Sequence, residues 1–172
     1  KTPEKYEVDL TGKKEFFKLI FSEPLEFIKL LLAKTSIYFS ASRPAAFWFH
    51  LSGVSQLLTI IFSSSFFFVI SVFGLSGLWL YLKKRDLISR LIVLAALAAP
   101  AGIIWIVAET RYRYQFYPMM IILGSIFLAE FLNSPKVHAK VLSIAALIIA
   151  SNTVFDAVLN IPRLAERFQR LF

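Results

Sequence analysis

Residues 55–82 read SQLLTIIFSSSFFFVISVFGLSGLWLYL and contain no charged side chain. A helix needs about 20 predominantly apolar residues to cross the hydrocarbon core of a bilayer, so this stretch is long enough to span it with some tilt. The serines at 63–65 do not exclude a helix, because their hydroxyls can hydrogen-bond to helix carbonyls. The charged cluster KKRD at 83–86 ends the stretch. The sequence therefore predicts a membrane-spanning helix.

Three further apolar stretches follow along the chain. They are residues 91–108 (LIVLAALAAPAGIIWIVA), 117–132 (YPMMIILGSIFLAEFL) and 141–159 (VLSIAALIIASNTVFDAVL). Backbone groups in lipid must be hydrogen-bonded within the protein, and no segment alternates in the manner of barrel strands. We therefore expect an all-α membrane protein with about four transmembrane helices.

Small residues in the second apolar stretch predict a helix contact. Ala95 and Ala99, and likewise Ala98 and Gly102, are four positions apart. Small residues at this spacing allow a neighbouring helix to approach closely. Pro100 lies inside the same stretch and is expected to kink the helix.

The segments that flank the spans are more polar. Residues 1–15 have mixed charge and predict a solvated arm. Residues 25–40 have a broad apolar face and three charges, which is typical of an amphipathic helix at the membrane interface; a helix packed on the rest of the protein fits equally well. Residues 163–172 predict an amphipathic C-terminal tail. We divide the chain into residues 1–50, an extramembrane arm and interfacial helix, and 51–172, a transmembrane helical bundle.

The composition excludes several classes of protein. Hydrophobic residues make up 58% of the 172-residue chain and charged residues 17%, with a mean hydropathy of +0.68. In an average soluble domain, about 45–50% of the residues are hydrophobic and about 25% are charged. The absence of cysteine excludes disulfides and thiolate chemistry, and two distant histidines, His50 and His138, argue against a histidine-rich metal site. We assign the net charge of +8 to loops and lipid headgroup contacts, so membrane lipids are expected partners and nucleic acid is not.

The basic residues near the membrane do not fix the orientation of the chain, because six fall on each side of the predicted spans. One side has Lys83, Lys84, Arg85, Arg90, Lys136 and Lys140, and the other has Arg43, Arg111, Arg113, Arg163, Arg167 and Arg170. The densest basic cluster is in the loop 83–90, which favours a cytoplasmic position for that loop.

The loop ETRYRYQFYP at 109–118 is the candidate functional segment. Arg111 and Arg113 are permanently charged and can make bidentate contacts with phosphate. Tyr112 and Tyr114 alternate with them and combine an apolar ring with a polar tip. This pattern suits the binding of an anionic lipid headgroup. An Arg/Tyr belt that only anchors helix ends at the membrane surface would have the same composition.

The same loop resembles a signature of a known enzyme family. RYRYQFYP, residues 111–118, is similar to the R-Y-R-x-P-x-x-P motif of the GT-C glycosyltransferases, which include protein O-mannosyltransferases and aminoarabinose–lipid A transferases. Arg111, Tyr112, Arg113 and Pro118 match, whereas Gln115 replaces the first proline.

A second segment carries the same resemblance. The sequence EPLEFIKLLLAKTSIYF at 23–39 is similar to the segment that precedes a late span in these enzymes. Pro24 and Lys34 match that segment, and Glu23 replaces the family's usual residue before the proline. The order of span, basic loop, span, Arg-Tyr loop and span also agrees.

The resemblance implies a fold and a function. It implies the C-terminal part of a polytopic membrane glycosyltransferase that uses a polyprenyl-phosphate-linked sugar donor on the outer face of the membrane. It implies that Arg111 binds the carrier phosphate, with Arg113 second and Lys34 third. The arm, the Arg111 loop and the C-terminal tail would then lie on the non-cytoplasmic side. From the loop residues themselves, we expect Tyr112 and Tyr114 to support the arginines, and Glu109 either to orient Arg111 or Arg113 through a salt bridge or simply to cap the loop.

The resemblance also implies that the catalytic acid lies upstream of these residues, because nothing here matches its motif. We therefore expect no catalytic residue in this chain, and the missing N-terminal part of the same protein becomes an expected partner. No cofactor is identified on these residues. A divalent metal, where one is used, would be bound by upstream residues.

The alternative is a non-catalytic helical membrane subunit or a transporter fragment. Asp156 and Asn152 are four residues apart in the fourth span and share a helix face. An acid in a span is by default a functional hypothesis. Because Asp156 is close to the predicted end of the span, we expect it to lie at the interface or to make an interhelical hydrogen bond.

Overall fold

A computed structural model describes residues 17, 20–42, 53–84, 86–106, 110–159 and 161. The regular structure of these residues is helical throughout. In chain order it comprises α1 (Pro24–Phe39), α2 (Gly53–Lys83), α3 (Leu87–Ile106), a 3₁₀ helix (Thr110–Gln115), α4 (Tyr117–Asn133) and α5 (Pro135–Leu159). The predicted all-α fold is confirmed.

The four predicted spans correspond to α2, α3, α4 and α5. Of the described helices, α2, α3 and α5 are long and apolar enough to cross a membrane. The apolar α4 has 17 residues, a length of about 26 Å, which is at the lower limit for a span. The helices are thus compatible with an integral membrane protein.

The bundle is held together by α2, which packs against both α4 and α5. A central cluster joins α2, α3, α4 and the end of α1 through Ile70, Val93, Met120 and Tyr38. A smaller cluster joins α2 and α5 through Val72 and Ile149. Because α2 is the longest described helix, it can contact both neighbours along its length.

The crossing of α2 and α4 depends on glycines. A Cβ atom at Gly77 would lie 2.1 Å from the carbonyl oxygen of Leu123, and one at Gly74 would lie 2.8 Å from the Cβ of Met120. On the facing helix, a Cβ at Gly124 would be 3.1 Å from the Cβ of Phe73. Only glycine lets the two backbones approach this closely.

The predicted close contact on α3 is not found among the described residues. Ala95, Ala98 and Gly102 are exposed, and a Cβ added at Gly102 would meet no atom within 4 Å. The close approach occurs instead between α2 and α4, at Gly74, Gly77 and Gly124, which do not have the four-residue spacing seen on α3. The α3 helix continues through Pro100, which is buried.

The start of α3 is set by Asp86. Its Oδ1 accepts a hydrogen bond from the backbone N–H of Ser89 at 2.8 Å, and its Oδ2 accepts one from the Ser89 hydroxyl at 2.8 Å. A carboxylate at this position satisfies a backbone donor that has no partner in the helix. These two hydrogen bonds, the backbone one first, hold the pKa of Asp86 below its usual value.

The chain divides into two compact units, Lys1–Lys34 and Thr35–Phe172, with the boundary inside α1. In the N-terminal unit, Lys29 Nζ pairs with Glu26 Oε1 at 2.6 Å. The predicted division at 50/51, like the arm at 1–15 and the tail at 163–172, lies outside the described residues, and all three stay predictions.

Candidate functional site

The candidate site is at the end of the bundle where the 3₁₀ helix joins α3 to α4. Here Arg113 extends from the 3₁₀ helix to the C-terminal end of α1. Its Nη2 donates hydrogen bonds to the carbonyl oxygens of Ile37 at 2.7 Å and Ser40 at 2.8 Å. The arginine is only 2% exposed.

The end of α1 explains why an arginine is buried here. The last carbonyls of a helix have no partner within the helix, and they carry the negative end of its dipole. A guanidinium supplies both a positive charge and several N–H donors in a planar group. The carbonyls of Ile37 and Ser40 therefore receive charge-assisted hydrogen bonds from Arg113, which offset part of the cost of burying its charge.

An aromatic ring of α2 contacts the guanidinium of Arg113, and further rings join the loop to α1. Its Cζ lies 4.2 Å from the centroid of the Phe67 ring of α2, a cation–π contact. Phe116 follows the 3₁₀ helix, and its ring packs edge-on against Phe39 at 5.6 Å and Tyr38 at 6.0 Å. Arg113 and these rings thus fix the Arg-Tyr loop to both α1 and α2.

Polar residues of α5 contact the same end of α1. Asn152 Nδ2 donates to the carbonyl of Ser36 at 3.0 Å. The Ala41 N–H donates to Thr153 Oγ1 at 3.1 Å, and the Ser42 hydroxyl donates to Asp156 Oδ2 at 3.0 Å. We call these contacts, together with those of Arg113, the helix-end junction.

The structure assigns Asp156 a hydrogen-bonding role. It is 3% exposed, near the end of α5, and it accepts from the hydroxyl of Ser42, in the turn that follows α1. The sequence predicted an interhelical hydrogen bond or exposure at the interface; Asp156 is instead buried and bonds to the turn after α1. The sequence analysis did not identify Thr153 or the partners of Asn152. The i, i+4 spacing of Asn152 and Asp156 indicates a polar helix face, but it does not determine which segment packs against that face.

The remaining predicted site residues are placed as follows. Arg111 and Tyr112 lie in the 3₁₀ helix, with side chains outside the described part, and Glu109 lies outside the described residues.

Tyr114 is 44% exposed, and its ring lies 5.6 Å from that of Tyr117. Partial burial raises the pKa of Tyr114. Lys34 is half-buried on α1 in the N-terminal unit.

The 3₁₀ conformation separates the positions of the two arginines. A 3₁₀ helix has three residues per turn, so positions i and i+3 align along its axis. Position 111 therefore aligns with position 114, whereas position 113 is on a different side of the helix.

Comparisons of the chain with protein-family models, characterised proteins and solved structures find no match. Within the described part of the chain, no three His, Asp or Glu residues come together as a metal site would require.

Proposed function

We propose that the chain is part of a membrane glycosyltransferase that takes its sugar from a polyprenyl-phosphate carrier, and that Arg111 binds the carrier phosphate. The proposal rests on the resemblance of residues 111–118 to the GT-C motif. One structural observation supports it: Arg113 ties the Arg-Tyr loop to the C-terminal end of α1 through hydrogen bonds of 2.7 and 2.8 Å. Binding sites need such fixed support.

The buried Arg113 distinguishes this loop from a simple anchoring belt. Belt arginines extend along apolar surface with their charged ends in water or among headgroups. Arg113 is instead buried against helix carbonyls. In this proposal Arg113 is a positioning residue and Arg111 is the phosphate ligand, so the two arginines of the motif have different roles.

The proposed reaction is an inverting sugar transfer. An acceptor oxygen forms a bond to the anomeric carbon of the sugar while the bond from that carbon to the carrier phosphate breaks. A carboxylate outside these residues takes the proton of the acceptor. The electron pair remains on the phosphate, whose growing negative charge the Arg111 guanidinium stabilises. In this proposal the Arg111 loop faces the non-cytoplasmic side.

The test is a transfer assay with the complete protein in its membrane, using a radiolabelled polyprenyl-phosphate sugar. Arg111→Ala is expected to lower kcat about 10²–10³-fold, the usual effect of removing one such donor. Lys136→Ala, which removes an exposed charge at the start of α5, is the matched control and is expected to retain transfer. Unchanged transfer by Arg111→Ala would refute the role of Arg111.

The second candidate function is a non-catalytic helical membrane subunit or a transporter fragment. One observation favours it: of the described residues, the two buried charged side chains, Arg113 and Asp156, both bind the end of α1 or the residues just after it. Their contacts stabilise the fold of the chain and involve no reacting group. If Asp156→Asn changes assembly with partner proteins, and no glycosyl transfer depends on the chain, this second function is correct.

A further inference from the structure

A groove runs between the C-terminal half of α2 and the N-terminal half of α5. It has a volume of about 540 Å³ and is lined by apolar side chains such as Leu78, Trp79, Ile144 and Ile148. The charged groups in its lining are Lys83 and Lys140. Its volume is within the range of about 300–1,000 Å³ that is typical of small-molecule sites.

The two lysines lie at the same end of the groove. On α2 the lining extends from Leu75 to Lys83, and on the antiparallel α5 it extends from Ile148 back to Lys140. Each stretch advances by eight residues, a length of about 12 Å. One leaflet of the hydrocarbon core is about 15 Å thick, half of the whole core. The groove therefore has the depth of a single leaflet, with its charges at the headgroup end.

The charge of these lysines is open to a ligand. Both side chains are exposed, and neither has an acidic partner among the described residues. Lys83 Nζ lies 5.4 Å from the centroid of the Trp79 ring, a cation–π contact that holds the ammonium over the groove.

We propose that this groove binds one anionic phospholipid, with an acyl chain against the apolar lining and the phosphate between Lys83 and Lys140. The charge of the site selects this occupant. The headgroup of a zwitterionic lipid has no net charge, so it would not neutralise the two lysine ammonium groups. A free phosphate has no acyl chain to bury against the apolar lining. The site is at the opposite end of α2 from its N-terminus and does not involve the Arg-Tyr loop, so it is independent of the proposed glycosyltransferase function.

The position of Trp79 in the groove provides a direct probe. In a variant with Trp48→Phe and Trp105→Phe, Trp79 is the single tryptophan. Bromine atoms on an acyl chain quench a tryptophan that they contact. The complete chain is placed in phosphatidylcholine vesicles containing a small fraction of brominated phosphatidylglycerol or brominated phosphatidylcholine. We expect stronger quenching by the brominated phosphatidylglycerol at equal mole fraction.

The lysines should carry this preference. A basic residue near an anionic membrane surface strengthens binding about fivefold, so Lys83→Gln with Lys140→Gln should lower the preference roughly 25-fold at most. Lys84→Gln with Lys136→Gln removes the same charge from exposed positions outside the groove and is the matched control. Circular dichroism verifies that each variant remains helical.

A second variant pair tests the apolar part of the groove. Ile148→Phe would partly fill it, whereas Leu147→Phe changes an exposed neighbour that is not in the lining. Lower phosphatidylglycerol quenching in the first variant alone supports the proposal. Equal quenching by both lipids overturns it, as does a preference that depends on Lys84 and Lys136 instead. Absence of quenching by either lipid in a chain that migrates as a dimer also overturns it, because a second copy would then fill the groove.

Discussion

Nη2 of Arg113 lies 2.8 Å from the carbonyl oxygen of Ser40, just beyond the last residue of α1. Through this contact an arginine of the Arg-Tyr loop stabilises the end of a helix more than 70 positions earlier in the chain. The loop cannot move away from α1 without leaving a buried cation and two carbonyls without their hydrogen bonds. The conformation of the loop and the position of the α1 end are therefore coupled.

The first prediction concerns the stability that Arg113 provides. Arg113→Ala should lower the free energy of unfolding by about 3 kcal/mol, because hydrogen bonds to a charged group contribute about 1.5–3 kcal/mol and their loss leaves buried carbonyls. Arg113→Lys keeps the charge but not the planar group of N–H donors, so it should lower the free energy of unfolding by less than Arg113→Ala does. Reversible denaturation in mixed detergent micelles, followed by circular dichroism, measures both. Arg90→Ala, at an exposed position on α3, is the control. An equal loss of unfolding free energy in Arg90→Ala and Arg113→Ala would contradict a specific stabilisation by the hydrogen bonds of Arg113.

The second prediction compares two glycine substitutions. Gly77→Ala should destabilise the bundle by about 1–3 kcal/mol or more, because the new Cβ would lie 2.1 Å from a backbone oxygen of α4 and the two helices must separate. Gly102→Ala adds the same methyl group in open space on α3, and should be neutral or stabilise the helix by up to about 1 kcal/mol. The denaturation assay described for Arg113 measures both variants. Equal effects would show that the crossing of α2 and α4 is not closely packed.

The third prediction concerns the hydrogen bond between Ser42 and Asp156. A double-mutant cycle of Ser42→Ala and Asp156→Ala should give a coupling energy of about 1 kcal/mol, in the upper part of the range for side-chain hydrogen bonds within membranes. Ser125, whose hydroxyl bonds to the Ile121 carbonyl of its own helix, replaces Ser42 in the control cycle. That cycle should be additive. Additivity in both cycles would mean that the contact at 3.0 Å does not stabilise the junction.

The fourth prediction is a pH dependence at the start of α3. Because the folded-state pKa of Asp86 is lowered by its hydrogen bonds to Ser89, its contribution to stability is present above the unfolded pKa and is lost as the pH falls through the folded pKa. Carbon-13 NMR titration of the Asp86 carboxyl should give a pKa below 3.8, the value without the fold. In Ser89→Ala the side-chain hydrogen bond is lost, so the pKa should rise toward 3.8. An unchanged titration in that variant would contradict the role of the Ser89 hydroxyl.

The sequence predicted the helices well because each has a local cause. The uncharged stretch at 55–82 and the basic cluster after it place α2 within two residues at its N-terminal end and one at its C-terminal end. Pro24 marks the start of α1 in the same way. The apolar length of a span and the residues that begin or end a helix are local features of the sequence, so the bounds of each helix can be predicted from nearby residues.

The contacts between helices could not be predicted in this way. Ala95, Ala98 and Gly102 have the spacing of a helix contact, but Gly74 and Gly77 make the close approach. A helix surface with small residues permits close packing, and which surface is used depends on how all the helices fit together. Likewise, the charge of Arg113 suited an anionic headgroup, and its contact with α1 depends on tertiary structure that the loop sequence does not contain.

The last prediction separates the roles of the two arginines in the proposed glycosyltransferase. Arg113→Lys should reduce transfer mainly by loosening the loop, so the loss should shrink when the complete protein is assayed at a temperature well below its unfolding transition. Arg111→Lys should leave the unfolding transition unchanged and lower kcat at every temperature, because an ammonium cannot replace a bidentate guanidinium on a phosphate. Paired measurements of kcat and of the unfolding temperature test this division. Equal losses of kcat at low temperature for both variants would mean that Arg113 also binds the donor, and that its contacts with Ile37 and Ser40 change when the donor is bound.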